Sequence, residues 1–312
     1  MIVRRYQPSE QTVWDDFVAK ARNRHFFFFR RYMDYHRERF TDASLLFFDE
    51  KDRLLGLLPA SIDGDTVVSH GGLTFGSVIV GDKMTMRRML DIFTAMREYY
   101  ASLGCRRLIY KCIPYIYMRY PSEEDRYALF RADARLTRRD ISSTIYLPER
   151  IKYNKSRKWM VKKSQKNGVI VRESNDFSGY FLLLNEVLTK RHGVHPVHSG
   201  DEMMLLARNF PENIKLYVAE KAGKLLAGTV LFLNGDVVHT QYMADSDDGC
   251  SIGALDGTID FLIQSYAAKG YRYFDFGISN EQQGRILNAG LILQKEGFGG
   301  RGVAHDFYEV DF

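Results

Sequence analysis

Three of the chain's eight histidines crowd into one stretch, Arg191-His192-Gly193-Val194-His195-Pro196-Val197-His198, and a fourth lies in Val238-His239-Thr240-Gln241-Tyr242. Imidazole is the side chain whose ordinary pKa falls near neutral pH, so a histidine held against an amine or hydroxyl serves as a general base. On that reading His239 or His198 takes the proton, Tyr242 returns one to the leaving group, and His192 and Gln241 touch substrate. The same residues also read as a polar loop of hydrogen-bonded histidines. A loop metal site is a third reading, which the lack of Cys, Asp or Glu at ligand spacing argues against. Lys295, in Leu293-Gln294-Lys295-Glu296-Gly297-Phe298-Gly299, would stabilise a developing oxyanion if fixed in a dry cleft, and is otherwise a surface lysine at a helix end. Asp275, in Phe274-Asp275-Phe276-Gly277, ends an aromatic strand. It would orient a base or contact substrate, or it would cap a helix over 281–292, and the local sequence favours the cap.

Two glycine-containing segments and a basic run add binding candidates. Ser69-His70-Gly71-Gly72 would let backbone approach an acceptor, with Lys111 behind it; a tight turn explains the same glycines. Asp247-Asp248-Gly249-Cys250-Ser251-Ile252-Gly253 precedes a helix, so Gly249 and Gly253 are the candidates for holding a cofactor pyrophosphate at a helix N-terminus, a role the aspartates oppose. From Arg150 to Asn167 there are eight Lys or Arg and no acid. Lys152, Lys155, Lys158, Lys162 and Lys166 share a helical face there, either solvated or facing a polyanion such as a diphosphate, tRNA or a membrane surface.

The elements that would position these residues occur twice. Leu45–Gly56 followed by Gly64-Asp65-Thr66-Val67-Val68 has the plan of Leu216–Gly228 followed by Gly235-Asp236-Val237-Val238, two strands, a charged turn and a third strand. Each leads to an amphipathic helix, over 84–103 and 253–269, closed by Gly104 and Gly270 and followed by a strand. Offsets of 171 residues between the first glycines and 166 between the second mean two copies of one domain-sized unit, divided here as 1–148 and 149–312. A meander, a helix and a crossing strand give an α/β fold with mixed sheets. Further elements expected are strands at 141–147, 271–276 and 303–311, with His25–Arg30 as a buried strand or turn.

With 312 residues, 45% hydrophobic and 27% charged, the chain has material for two cores. A net charge of +5 permits a polyanionic ligand without requiring one. Three cysteines, Cys105, Cys112 and Cys250, imply a reducing compartment rather than a disulfide framework. No apolar signal core or membrane-length run is present, so a soluble cytoplasmic protein, with peripheral membrane proximity open, is expected.

This order of elements resembles the GNAT (Gcn5-related N-acetyltransferase) fold in tandem. With Phe274-Asp275-Phe276-Gly277 and the Lys295 segment, it resembles the Fem-type peptidoglycan-bridge transferases and related N-acyltransferases of polysaccharide clusters. The resemblance implies an acyltransferase whose second unit reacts and whose first unit helps hold the acceptor. It assigns Lys295 to charge stabilisation and Arg157 to the position of an arginine at the start of the second unit. The acceptor would be an amine on a sugar, nucleotide sugar or cell-wall precursor. The donor would be acyl-CoA or an aminoacyl-tRNA; Gln294 stands where the family has Phe, and neither unit has the usual pyrophosphate loop. The alternative is a duplicated scaffold that binds tRNA or another polyanion without catalysis.

Overall fold

The structure, a computed structural model, describes the whole chain except the side chain of His192. Its first half contains β1 (Ile2–Arg5), α1 (Gln11–Lys20), the short α2 (Arg30–Met33), β2 (Thr41–Asp42), β3 (Leu45–Phe48), β4 (Leu54–Leu58), β5 (Ser61–Asp63), β6 (Thr66–Val68), β7 (Ile79–Val80), α3 (Met86–Ser102), β8 (Arg107–Lys111), α4 (Glu124–Arg131) and β9 (Arg135–Tyr146). Then come α5 (Lys155–Lys166), β10 (Ile170–Ser174), α6 (Phe177–His192), α7 (Gly200–Asn209), β11 (Ile214–Lys221), β12 (Lys224–Asn234) and β13 (Val237–Asp245). The last elements are α8 (Asp247–Ile252), α9 (Ala254–Ala268), β14 (Tyr273–Ile278), β15 (Asn280–Glu281), β16 (Ile286–Leu287), α10 (Ala289–Gly297) and β17 (Arg301–Asp311).

The chain divides into two compact units, and the division differs from a cut at residue 148. The first holds Met1–Asp140, Asn280–Ile286 and Ala304–Phe312; the second holds Ile141–Ser279 and Leu287–Val303. The C-terminal strand belongs to the first because it pairs there: Phe307–Asp311 run antiparallel to Arg107–Lys111, and Val310 is fully buried in that unit's core.

Each unit is built on the repeat. In the first, β3 and β4 form a hairpin, α3 buries its stripe of Met89, Ile92, Phe93, Met96 and Tyr100, and β8 pairs in parallel with β6. In the second, β10, β11, β12 and β13 are successive antiparallel neighbours. The helix α9 buries Leu255, Ile259, Leu262, Ile263 and Tyr266, and β14 pairs in parallel with β13. Apolar spacing of three and four along both helices is what drives these faces onto their sheets.

Several local differences from the sequence reading have physical causes. β9 starts at Arg135 rather than 141, because arginines along its first half find acids of the same unit: Arg135 meets Asp311 at 2.6 Å and Arg139 meets Asp306 at 2.6 Å. His25–Phe29 is a buried 3-10 turn held by the His25 side chain accepting from the Phe27 amide. No helix forms over 281–288. Gln282 and Gln283 adopt left-handed φ values of 47° and 53°, and α10 starts only where the Asn288 side chain accepts from the Leu291 amide.

Candidate active site

The site grows from strand register. His239 on β13 and Asp275 on β14 are direct partners in the parallel ladder, and Thr144 on β9 is opposite Asp275 on its other side. Asp275 is fully buried. One carboxylate oxygen accepts from His239 Nδ1 at 2.7 Å. The other accepts the hydroxyls of Thr144, at 2.7 Å, and of Ser142. Asp275 therefore orients the His239 ring and caps no helix, which corrects the preference for a cap. With Nδ1 committed as donor to a carboxylate, Nε2 is left with the lone pair. The His239 side chain keeps 21% of its exposure, so that lone pair lies on a ring that solvent still reaches.

His239 and Tyr242 are three residues apart, which in a regular strand puts them on opposite faces. A bulge removes the conflict: Tyr242 is opposite Val230 while Thr240 is opposite Leu231, leaving Gln241 as the extra residue. Val238 and Met243 pack in the core beneath α9, so their neighbours His239 and Tyr242 both face the other side. There the Tyr242 ring packs edge-on against Phe181 of α6, with centroids 5.4 Å apart. Its hydroxyl lies 2.7 Å from His198 Nδ1 and 3.4 Å from the His198 amide. The amide is a donor, so the phenol hydrogen is available to the ring nitrogen. Burial pushes the Tyr242 pKa up, keeping the phenol protonated.

Lys295 sits in the last turn of α10 and is 3% exposed; it is not a surface lysine. Its ammonium donates to the carbonyls of Gly277 at 2.9 Å and Ile278 at 2.7 Å. Burial brings its pKa down to about 8, opposed by the charge of Asp275. Gly277 joins the two groups. Its φ is +73°, and a Cβ there would approach His239 Cε1 at 3.1 Å, so a side chain would press on the imidazole.

The other candidates are placed differently. Arg157 is bound to Asp256 at 2.6 Å and lies over the Phe298 ring, so its fork is engaged by its own unit. His195 Nδ1 meets Asn185 at 2.8 Å; the His192 side chain lies outside the described residues. In the first unit Ser69, His70 and Lys111 are buried. Ser69 Oγ accepts from the Lys111 amide at 2.8 Å, and Lys111 Nζ donates to the Leu73 carbonyl. Gly71 and Gly72 face the Phe40 ring closely enough that a Cβ would collide with it, so packing within the unit accounts for both glycines. Ser142 and Thr144 are not legible in the sequence: hydroxyl residues on a strand carry no signal until the register puts them beside Asp275.

An acetyltransferase (GNAT) domain model matches residues 152–283. This segment is similar to GNAT domains. No curated protein matches the chain by sequence. Among solved structures, FemX is similar in fold at 10% identity, with 98% of this chain and 97% of FemX covered and a TM-score of 0.69. L-PGS from Bacillus licheniformis is similar at 11% identity, 99% and 93% coverage and a TM-score of 0.61. A tandem GNAT protein from the clavulanic acid biosynthesis pathway gives 11%, 99% and 98%, and 0.53. The chain thus has the tandem GNAT fold and resembles the Fem type.

GNAT domains imply an acyl-CoA, whose pyrophosphate the glycines before α9 would hold. The residues present do not fit that group. A Cβ at Gly249 would strike the Leu226 carbonyl and one at Gly253 the Met160 carbonyl, so both glycines serve close backbone packing. The Gly249 amide is capped by Ser246 at 3.0 Å. Asp247 and Asp248 occupy the first turn of α8, and the buried Asp256 that of α9. An incoming diphosphate would meet carboxylates where it needs free amides.

Proposed function

We propose that the chain is an acyltransferase whose reacting centre is the His239–Asp275 dyad of the GNAT domain. The acyl group, acetyl or aminoacyl, passes to an amine of a sugar, nucleotide sugar or cell-wall precursor; the likeness to FemX supports that acceptor class. The observation that carries the reading is a paired contrast. At the equivalent rung of the first unit, Val68 on β6 is the parallel partner of Ile109 on β8, where the second unit has His239 opposite Asp275. The repeat places an imidazole–carboxylate pair in one copy and two hydrocarbons in the other.

In the proposed reaction the acceptor nitrogen attacks the activated carbonyl, forming the C–N bond, while His239 Nε2 takes its proton and Asp275 stabilises the imidazolium. Lys295 stands close to the dyad through Gly277 and stabilises the oxyanion. As the intermediate collapses, the bond to the leaving ester oxygen breaks. That atom takes the Tyr242 proton, the phenolate being held by the His198 amide; solvent then reprotonates Tyr242 as His239 releases the proton it took. Because no pyrophosphate cradle fits before α9, no step is assigned to a CoA carrier, and an activated ester of the acyl group, acetyl or aminoacyl, is the donor class this reading takes.

The test is acyl transfer to amino-sugar acceptors by wild type and His239→Gln, with acetyl-CoA and aminoacyl-tRNA as alternative donors. A fall in kcat/KM of about 10²–10⁴-fold with an unchanged unfolding midpoint is expected. Equal turnover by the two proteins would exclude the dyad.

A further inference from the structure

The exposed face of α5 lies outside the proposed reaction and has its own chemistry. Lys155, Lys158, Lys162 and Lys166 are exposed along about three turns of one face, and among the described residues no carboxylate pairs with them. The opposite face, with the buried Val161 and Ser164, packs in the unit. In the midst of the lysines stands Trp159, 59% exposed, with Lys163 Nζ 4.8 Å from its ring centre. The arginines nearby are committed elsewhere, Arg157 to Asp256 and Arg150 to Gln264 at 3.0 Å. Beside the helix, at Ser164 and Gln165, opens a cleft of about 690 Å³ whose apolar lining includes Val169, Ile170, Val171 and Phe261. Lys162 and Lys158 lie three and seven residues before Gln165, on the ridge above that cleft.

Unpaired lysines, an exposed indole and an open apolar cleft occur together here. We propose that this face docks on an anionic phospholipid surface. Point-charge lysines suit a diffuse layer of headgroups, whereas forked phosphate contacts call for free arginines. Trp159 is the side chain that settles at a membrane interface, and the cleft offers hydrocarbon contact that a nucleic-acid backbone would not use. The inference stands independently of the acyl-transfer reading.

The test is sedimentation of the full chain with vesicles of phosphatidylglycerol and phosphatidylcholine, against phosphatidylcholine alone, at low and about 0.5 M salt. Trp14 is fully buried, so a lipid-dependent blue shift reports Trp159 and should vanish in Trp159→Phe. Binding should require phosphatidylglycerol, weaken with salt and fall at least about thirtyfold in a Lys158→Glu/Lys162→Glu variant. Ile170→Ser, at an exposed position, should weaken vesicle binding while leaving heparin binding unchanged. No phosphatidylglycerol-dependent binding, binding indifferent to the charge reversal or to Ile170→Ser, or displacement from vesicles by a mixed tRNA would each overturn the proposal. The last outcome would assign the face to nucleic acid.

Discussion

At the scale of single residues, the buried cations and imidazoles set how the protein answers pH. Lys295, with its pKa brought down to about 8, loses its charge as pH rises through that value. If its ammonium stabilises the oxyanion, kcat/KM should decline above about pH 8. Lys295→Met should remove that limb along with most of the activity. His70 has the opposite exposure to acid. Burial, with Lys111 adding repulsion, pushes its pKa down to about 3 from 6.5. The unfolded chain then binds the extra proton between those values, so stability falls as pH drops from about 6.5 towards 3. His70 has a φ of +62°, a conformation that asparagine also tolerates. His70→Asn should therefore retain the fold and lose less stability between pH 7 and 4, by a few kcal/mol, in denaturant titrations at the two pH values. The sequence made His239, Tyr242, His198 and Lys295 visible because their chemistry is unusual where they stand. It did not reveal that Asp275 belongs to His239, since 36 residues and two helices separate them and the parallel ladder of β13 and β14 joins them.

At the scale of elements, close backbone packing decides which glycines are indispensable. Gly249 lies against the β12 carbonyl of Leu226 with no room for a methyl group. Gly249→Ala should cost about 1–3 kcal/mol, read as a lower unfolding midpoint. A glycine at the open turn Gly64, with nothing near its Cβ position, would lose stability only through its left-handed φ. The strand order and the long helices were legible because their hydrophobic periods are regular over many residues. The bulge at Gln241 and the hairpin over 280–287 were not. Each is set by one or two residues whose backbone is fixed from outside the segment, and neither disturbs the period of its neighbours enough to be read.

At the scale of the whole molecule, the duplication reads clearly in sequence because the paired glycines and helix ends keep a nearly constant offset. What the repeat hid was its asymmetry of content, Val68 and Ile109 in one copy against His239 and Asp275 in the other, and the return of the last strand. Ala304–Phe312 completes the first unit, with the Phe312 ring stacked on Tyr100 at 5.8 Å. Truncation after Val303 should therefore unfold the first unit and leave it open to limited proteolysis, with the cuts falling in 1–140 before they appear in the second. The same return dictates an order of birth. The ribosome must translate the entire second unit before the strand that closes the first exists. The earlier-made half thus waits with the β8 edge unpaired and its core short of Val310, the kind of exposed edge that invites aggregation for as long as that strand is unmade.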